Sequence, residues 1–541
     1  MRLTYHGLHD LNGWEQARIL LPSYDPEKTS AETRQHPAWV HFGIGNIFRV
    51  FLGGIADDLL SAGNAVQGII GVETFDFEVV DRIYRPFDNL ILSVILHEDG
   101  REERKVLAPV AEAIKGSPAF PEDWQRLRSV FTSPSLQMVS FTITEKGYAL
   151  ADSAGRVLPA VQKDFEEGPA APSHAMCILT AMLLERFRAG SIPIALVSMD
   201  NCSQNGNLLR QAVLTVARAW LDRGHVGQDF LEYAADEEKV AFPWTMIDKI
   251  TPRPSEQVAQ RLKDCDLEDM DPVLTAKRTY IAPFVNAEGP QYLVIEDHFP
   301  NGRPPLEQGK GVYLTDRNTV NLAERMKVTA CLNPIHTALG PYGVLLGYDL
   351  FSDEMKDPDM LQLARRVGYK EGLPVVQDPG ILSPKAFLDE CMNHRFPNPY
   401  LGDTCLRLCT DASQGLGVRF GVTIRSYMEK YGTASALRGI PLAIAGWLRY
   451  MMGVDDNGIP YELAPDPLNE EVTALFRDIR LGHPESVTEP LRTILSNENI
   501  FFVDLYQAGI AEKIIRLFRS EIAGTGAVRA TVKKEITSWN A

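Results

Sequence analysis

After the apolar run Trp39-Val40-His41-Phe42 the chain passes through Gly43-Ile44-Gly45-Asn46 into IFRVFLGGIADDLLSAG, where apolar residues recur every three and four positions. Strand, glycine turn and helix in this order are the parts of a dinucleotide site. The first glycine permits the tight turn, and the second lets the backbone approach a pyrophosphate lying at the helix N-terminus. Gly43 and Gly45 are spaced for those two roles, while Phe48 stands where the third glycine of G-x-G-x-x-G belongs. Any strand-to-helix turn also accommodates glycine, so the turn alone does not decide. Glu73 ends the next apolar run, 28 residues after Gly45. A carboxylate there would accept hydrogen bonds from an adenosine ribose and repel a 2′-phosphate, which favours NAD over NADP. An acid at a strand end equally suits an exposed rim.

The elements that must hold these residues follow from the rest of the pattern. Two β-rich runs flank Asp99-Gly100, a dipeptide suited to a type I′ hairpin turn inserted in the α/β alternation. The apolar runs 138–143 and 194–199 lead into the polar loops TEKGY and DNCSQNG, and helical periodicity covers His174–Arg188 and Asn207–Arg223. Alternating strands and helices predict an α/β fold with a doubly wound parallel sheet over residues 39–300. Residues 1–38 read as an irregular N-terminal arm, and residues 301–541 as a mostly α-helical domain, with helices over Asn318–Leu332, Pro384–Met392 and Ala434–Met452. The stretch NGRPPLEQGKG, 301–311, is the expected passage between the two. Near the end, 502–523 has the spacing of a packed amphipathic helix.

Composition narrows the function. The chain has 541 residues, 45% of them hydrophobic and 23% charged, which suits a globular protein and excludes disorder, collagen and coiled coil as global descriptions. With 54 Lys plus Arg against 71 Asp plus Glu the net charge is -17, which argues against nucleic acid as a partner and for a small molecule. No apolar stretch reaches the roughly 18 residues of a membrane span; the most apolar window, Gly439 to Gly453, is interrupted by Pro441 and Arg449. The start MRLTYHGLHD lacks the apolar core of a signal peptide, and the seven cysteines form no C-x-x-C pair, so a cytoplasmic protein with reduced thiols is expected. Zinc needs clustered Cys and His ligands, and the eleven histidines are dispersed, so no metal is assigned.

Seven segments in order, GIGNIFR (43–49), TITEKGY (142–148), SMDNCSQNG (198–206), FPWTMIDKITP (242–252), VIEDHFPNGRPPLE (294–307), ERMKVTACLNPIH (324–336) and RFPNPYLGDTCLRL (395–408), resemble the mannitol dehydrogenase family of polyol-specific long-chain dehydrogenases. The resemblance spans most of residues 39 to 410. It implies a Rossmann-type domain, a mainly helical C-terminal domain, a cleft between them, and metal-independent hydride transfer to NAD. It further implies cofactor contacts from Gly43, Ile44, Gly45, Asn46, Phe48, Glu73, Thr144 and Asn201. Lys327 would be the general base, or the acid in reduction. Asn201 and Asn333 would be donors to the developing alkoxide, His336 would orient the reacting hydroxyl, Asp248 and Arg395 would touch substrate, and Glu324 would pass protons.

Each assignment has a plainer counterpart. Lysine near its reference pKa of about 10.4 is a poor base, so Lys327 needs burial or nearby positive charge, and most helical lysines are simply solvated. Asp248 and Glu324 read equally as surface carboxylates, and Lys249 and Arg407 compete with Arg395 for a substrate carboxylate. Five residues separate Lys327 from Asn333, whereas the best-known family members place four. One extra residue on a regular helix rotates the partner by about 100°. A π-bulge, or a break with a restart at Asn333, would absorb the offset. Asn333 before Pro334 also reads as an ordinary N-cap and first-turn pair.

The variant LNPIHTALGPYG and the chain length resemble the fructuronate reductase branch of the family, which implies D-mannonate and D-fructuronate as substrates in hexuronate breakdown. A mannitol or arabinitol dehydrogenase is the alternative within the family, and an inactive NAD-binding sensor or scaffold the alternative outside it. Either enzyme would act on a sugar acid or polyol as a monomer or homodimer.

Overall fold

The computed structural model describes residues 1–487 and 490–539. The chain forms two compact units, Met1–Asn321 and Leu322–Ala541.

The first unit is built on a six-stranded sheet of β1 (Trp39–Phe42), β2 (Ile69–Glu73), β3 (Val110–Lys115), β4 (Met138–Phe141), β5 (Ile194–Ser198) and β6 (Val240–Ala241). Their spatial order is β3-β2-β1-β4-β5-β6 and every pairing is parallel. This is the doubly wound dinucleotide-binding order, whose topological switch point lies between β1 and β4. The strands are buried on both faces, as expected of a parallel sheet covered by helices. Val40, Phe42, Ile70 and Val72 face a core with helices Ala175–Arg188 and Asn205–Asp222, while Trp39, Ile69 and Met138 face another containing Phe51, Ile55 and Leu59. The helices begin and end within a few residues of the sequence reading.

Two expectations are corrected. The arm is not irregular: it holds helices Leu11–Gln16 and Pro26–Gln35, and a short strand Ile19–Leu20 that pairs in parallel with Glu102–Leu107. Asp25 caps the second helix at the amide of Lys28 with Pro26 in the first turn, a start signal that was present in the sequence. The hairpin Ile91–Leu96/Glu102–Leu107 exists, but Asp99-Gly100 is not a two-residue type I′ turn. The His97 amide donates to the Arg101 carbonyl at 3.0 Å and only Gly100 has positive φ, +84°, so the loop has three residues with a left-handed glycine at its end.

The second unit is helical throughout its regular elements among the described residues, with isolated bridges such as Leu350 with Thr404. The apolar window is the buried helix Gly439–Tyr450, starting later than the expected 434, and the last predicted helix is Ala511–Glu521. No helix among the described residues is long and apolar enough to cross a membrane. All seven cysteines are free thiols.

Candidate active site

In the first unit the glycine turn leaves β1 at the switch point. Gly43 has φ +89°, and a Cβ there would stand 2.4 Å from the carbonyl oxygen of Thr142, at the end of β4. Gly43 is therefore glycine for two reasons, conformation and space. At Gly45 nothing lies within 4 Å of the corresponding point, so the backbone is bare where a pyrophosphate would approach. The helix begins at Asn46. Arg49, fully buried, donates to the Asn46 side chain at 3.3 Å and to the carbonyls of Ala282 and Pro283 at 2.7 and 2.6 Å, which fixes the first turn to the body of the unit. Burial lowers its pKa to about 10.

Ile44 and Phe48 are fully buried, and their side chains belong to the core of the unit. Phe48 stacks on His41 at 4.3 Å, and the helix opens into a π turn over Phe48–Leu52 where the fingerprint would place a small third glycine. His41 lies in a hydrogen-bond chain that fixes its tautomer. Trp39 Nε1 donates to Ser140 Oγ at 2.6 Å, and His41 Nδ1 lies 2.6 Å from the same Oγ. Thr142 Oγ1 donates to the Gly43 carbonyl at 2.8 Å and lies 2.8 Å from His41 Nε2. Nε2 must therefore carry the proton and Nδ1 accept one, a neutral ring, in keeping with burial that lowers its pKa to about 3.

Glu73 is 8% exposed, and its Oε1 accepts from the amides of Phe75 at 2.8 Å and Asp76 at 3.1 Å, with a further backbone bond from Ile44 of the glycine turn. It is not a solvated rim carboxylate. Burial holds its pKa above the ordinary value against these bonds. Thr144 is exposed and precedes the short helix Glu145–Tyr148.

Asn201 is exposed on the loop after β5. The loop is anchored by residues that the sequence reading passed over. Buried Asp200 accepts from the hydroxyls of Tyr148 and Ser198, the latter at 2.6 Å, and from the amide of Cys202 at 2.9 Å. Asn205 donates to the Asp200 carbonyl at 3.1 Å and to Thr245 Oγ1 at 2.9 Å, and accepts from the Thr245 amide at 3.1 Å. Asp200 and Asn205 stood inside the segment SMDNCSQNG, but their partners lie up to 52 residues away, a pairing no local pattern reveals. Asp248, 6% exposed, closes the strand Thr245–Asp248 opposite Tyr292 and is not a surface carboxylate. Lys249, 5% exposed, donates to the Glu288 carbonyl.

In the second unit the extra residue is absorbed as a π turn. The helix Arg317–Met326 runs into a π segment Lys327–Cys331, Leu332 departs with φ −114° and ψ −68°, and the helix restarts as Asn333–Leu346. The Leu332 amide donates to the Lys327 carbonyl at 3.1 Å, five residues back. Lys327 is buried, as are Met326, Ala330 and Cys331. Asn333 does not act as an N-cap: its side chain makes no capping bond, and its Oδ1 is buried without a hydrogen-bond partner among the described residues. A buried amide oxygen in that state carries a cost that a donor on a ligand would remove. The ring of His336 sits between Phe351, 4.9 Å away, and Phe396, 5.0 Å away. Phe396 directly follows Arg395, which is buried in the π turn Cys391–Arg395. Lys327, Asn333, His336 and Arg395 thus belong to two adjoining segments of one unit. Glu324 is half-buried on the entering helix, and Arg407 is exposed and paired with Asp403. Among the described residues no group of three His, Cys, Asp or Glu side chains is placed to hold a metal ion.

Residues 37–308 match the Mannitol dehydrogenase Rossmann domain, and residues 320–519 the Mannitol dehydrogenase C-terminal domain. The chain is 48% identical over 538 residues to the D-mannonate oxidoreductase of Thermotoga maritima, covering 99% of each. Its structure resembles a D-sorbitol dehydrogenase in substrate-free form, with TM-score 0.78 and 25% identity over 95% of this chain and 98% of the other. It also resembles the Pseudomonas fluorescens mannitol 2-dehydrogenase in ternary complex with NAD and D-mannitol, with TM-score 0.70 and 26% identity over 100% and 99%.

Proposed function

Because this chain belongs to the mannitol dehydrogenase family, we propose that it is an NAD-dependent, metal-independent oxidoreductase that interconverts D-mannonate and D-fructuronate. The substrate is carried by one observation, the 48% identity to a D-mannonate oxidoreductase along the whole chain. The chemistry is supported by buried Lys327 and by Asn333 at the helix start just beyond the π turn.

The residues of the glycine turn fit NAD: Gly45 leaves open space, the backbone from Asn46 to Phe48 opens a helix, and Glu73 is held beside the turn for a ribose. When bound, NAD accepts the hydride in oxidation and NADH returns it in reduction. Lys327 takes the hydroxyl proton as the C–H bond of the carbinol breaks and the carbonyl forms, and gives that proton back in the reverse direction. Lys327 is buried, one of the two settings, a dry site or nearby positive charge, in which a lysine can fill this role. Asn201 and Asn333 hold the developing alkoxide, His336 orients the hydroxyl within its two phenyl rings, and Glu324 relays the proton. Asp248 binds substrate hydroxyls, and the guanidinium of Arg395 binds the carboxylate through parallel hydrogen bonds. The Rossmann-type part, 39–300, supplies the cofactor contacts and the part 301–541 the acid–base group. The protein works in the cytoplasm, its seven thiols reduced, as a monomer or homodimer.

The test is NADH consumption at purified enzyme with fructuronate, tagaturonate and fructose in parallel, repeated with NADPH. Fast turnover of fructuronate with NADH is expected. Preference for fructose would reassign the chain to mannitol oxidation, and silence on all three with NADH still bound would favour a sensor.

A further inference from the structure

The π turn creates a hydrogen-bond deficit, and the structure shows what fills it. Leu332 leaves helical geometry after the π turn and Pro334 has no hydrogen to give, so the helix beyond does not continue the ladder to the carbonyl of Thr329. The hydroxyl of Thr423, from the helix Val422–Tyr431, donates to that carbonyl at 3.1 Å. Thr423 is 4% exposed and Thr329 8%, so water does not share the bond freely.

We propose that Thr423 is a positioning residue for the acid–base pair: its hydroxyl holds the Thr329 carbonyl, pins the bulge at Lys327–Cys331, and thereby sets the angle between Lys327 and Asn333. The proposal rests on the reading of Lys327 as general acid–base. A carbonyl left unpaired in a buried helix is relieved by unwinding or by sliding the bulge. Room for that movement exists, because Met326, Thr329, Ala330, Gly372 and Thr423 border a cavity of about 560 Å³. Sliding the bulge by one residue would turn Lys327 relative to Asn333 by about 100°, enough to break their convergence on one atom.

Thr423→Val keeps the shape and removes the donor. It should lower kcat roughly 10- to 100-fold, the range expected when a reacting group is misplaced by about 1 Å. It should also move the limb of the pH–rate profile that reports Lys327, and leave NADH affinity within about twofold. Thr423→Ser, which keeps the hydroxyl, should behave as wild type. The decisive comparison is Thr423→Val against Thr423→Ser, each with its urea midpoint and NADH affinity measured beside kcat and the pH limb. A poorly folded Thr423→Val is recognised by its lowered midpoint, and the pH limb of Thr423→Ser, unmoved if the hydroxyl is what matters, then decides. Lys327→Ala is measured alongside. If it is inactive while Thr423→Val keeps wild-type kcat and pH profile, or if Thr423→Ser fails as badly as Thr423→Val, the positioning role is overturned and the function stands. If Lys327→Ala turns over normally, the acid–base reading itself falls.

Discussion

Gly43 and Gly45 are two residues apart, yet the structure assigns them different duties, and a pair of alanine substitutions separates them. At Gly43 the new Cβ would lie 2.4 Å from the Thr142 carbonyl oxygen, and contacts under 3.0 Å force a shift, so β1 and β4 would have to part by about 0.6 Å at the switch point. The φ of +89° adds about 1–2 kcal/mol for a side-chain-bearing residue, and overpacking against backbone about 1–3 kcal/mol more. Gly43→Ala should therefore lose about 2–5 kcal/mol of stability, read as a lowered urea midpoint by tryptophan fluorescence, with NADH affinity falling alongside. Gly45 has no atom within 4 Å of its Cβ point and does not have positive φ. Gly45→Ala should fold with stability within about 1 kcal/mol of wild type. Its methyl group would occupy the space given to the pyrophosphate, so the NADH Kd from fluorescence titration should rise about 10- to 100-fold, or about 1.4–2.8 kcal/mol. A Gly45→Ala protein that binds NADH like wild type would refute the placement of the pyrophosphate at this turn. An undiminished midpoint in Gly43→Ala would refute the steric argument.

Three further outcomes are expected. His41 is held neutral in the fold, its pKa lowered to about 3 from 6.5, so its contribution is complete above pH 6.5 and is lost as pH falls toward 3, at about 1.4 kcal/mol per pH unit; His41→Gln should remove that slope in urea titrations. Glu521 behaves in the opposite sense. The Tyr342 hydroxyl lies 2.7 Å from the Leu442 carbonyl and 2.6 Å from Glu521 Oε1, and its single proton cannot serve both, so a protonated Glu521 completes the set. Burial raises its pKa to about 8 from 4.5, so its stabilisation is complete below pH 4.5 and drains away up to pH 8; Glu521→Gln should abolish that loss, and an unchanged slope would show that the carboxyl is ionised in the fold. Between pH 4.5 and 6.5 the two slopes oppose each other, so each is visible only against its own variant. Finally, Arg395→Gln should raise KM for a keto acid by at least tenfold while changing KM for fructose little; equal effects would mean that the arginine serves packing instead of carboxylate binding.

The doubly wound sheet was legible because each strand is a short apolar run closed by a turn, and each covering helix keeps its period over ten or more residues. The arm was misread although Asp25-Pro26 announced its helix, because ten residues with only three buried positions, Thr29, Ser30 and Thr33, leave no apolar stripe. Asp99-Gly100 suggested the hairpin correctly, but which residues pair across a loop is set by the strands on either side, and the dipeptide does not encode it. At the site, the glycine spacing could be read and the burial could not. Phe48 looks like part of a binding loop and is core. Asp200, Tyr148, Asn205 and Thr245 assemble across three segments, a long-range event with no periodic trace. The π turn was visible only as one residue too many between Lys327 and Asn333, since a single widened turn leaves no signature in a 3.6-residue period.

That widened turn changes how the chain should be compared with its relatives. A residue inserted into a regular helix is an expensive event, since everything beyond it rotates, and selection removes most such lineages. Here the widened turn is confined to 327–331, and the helix resumes at Asn333. An alignment that insists on constant lysine-to-asparagine spacing would break the homology of one residue or the other, while one that opens a gap inside the bulge preserves both. Indels at such a point are close to neutral for the scaffold, and the distance between two motif residues can then drift within a lineage while the chemistry they share is inherited unchanged.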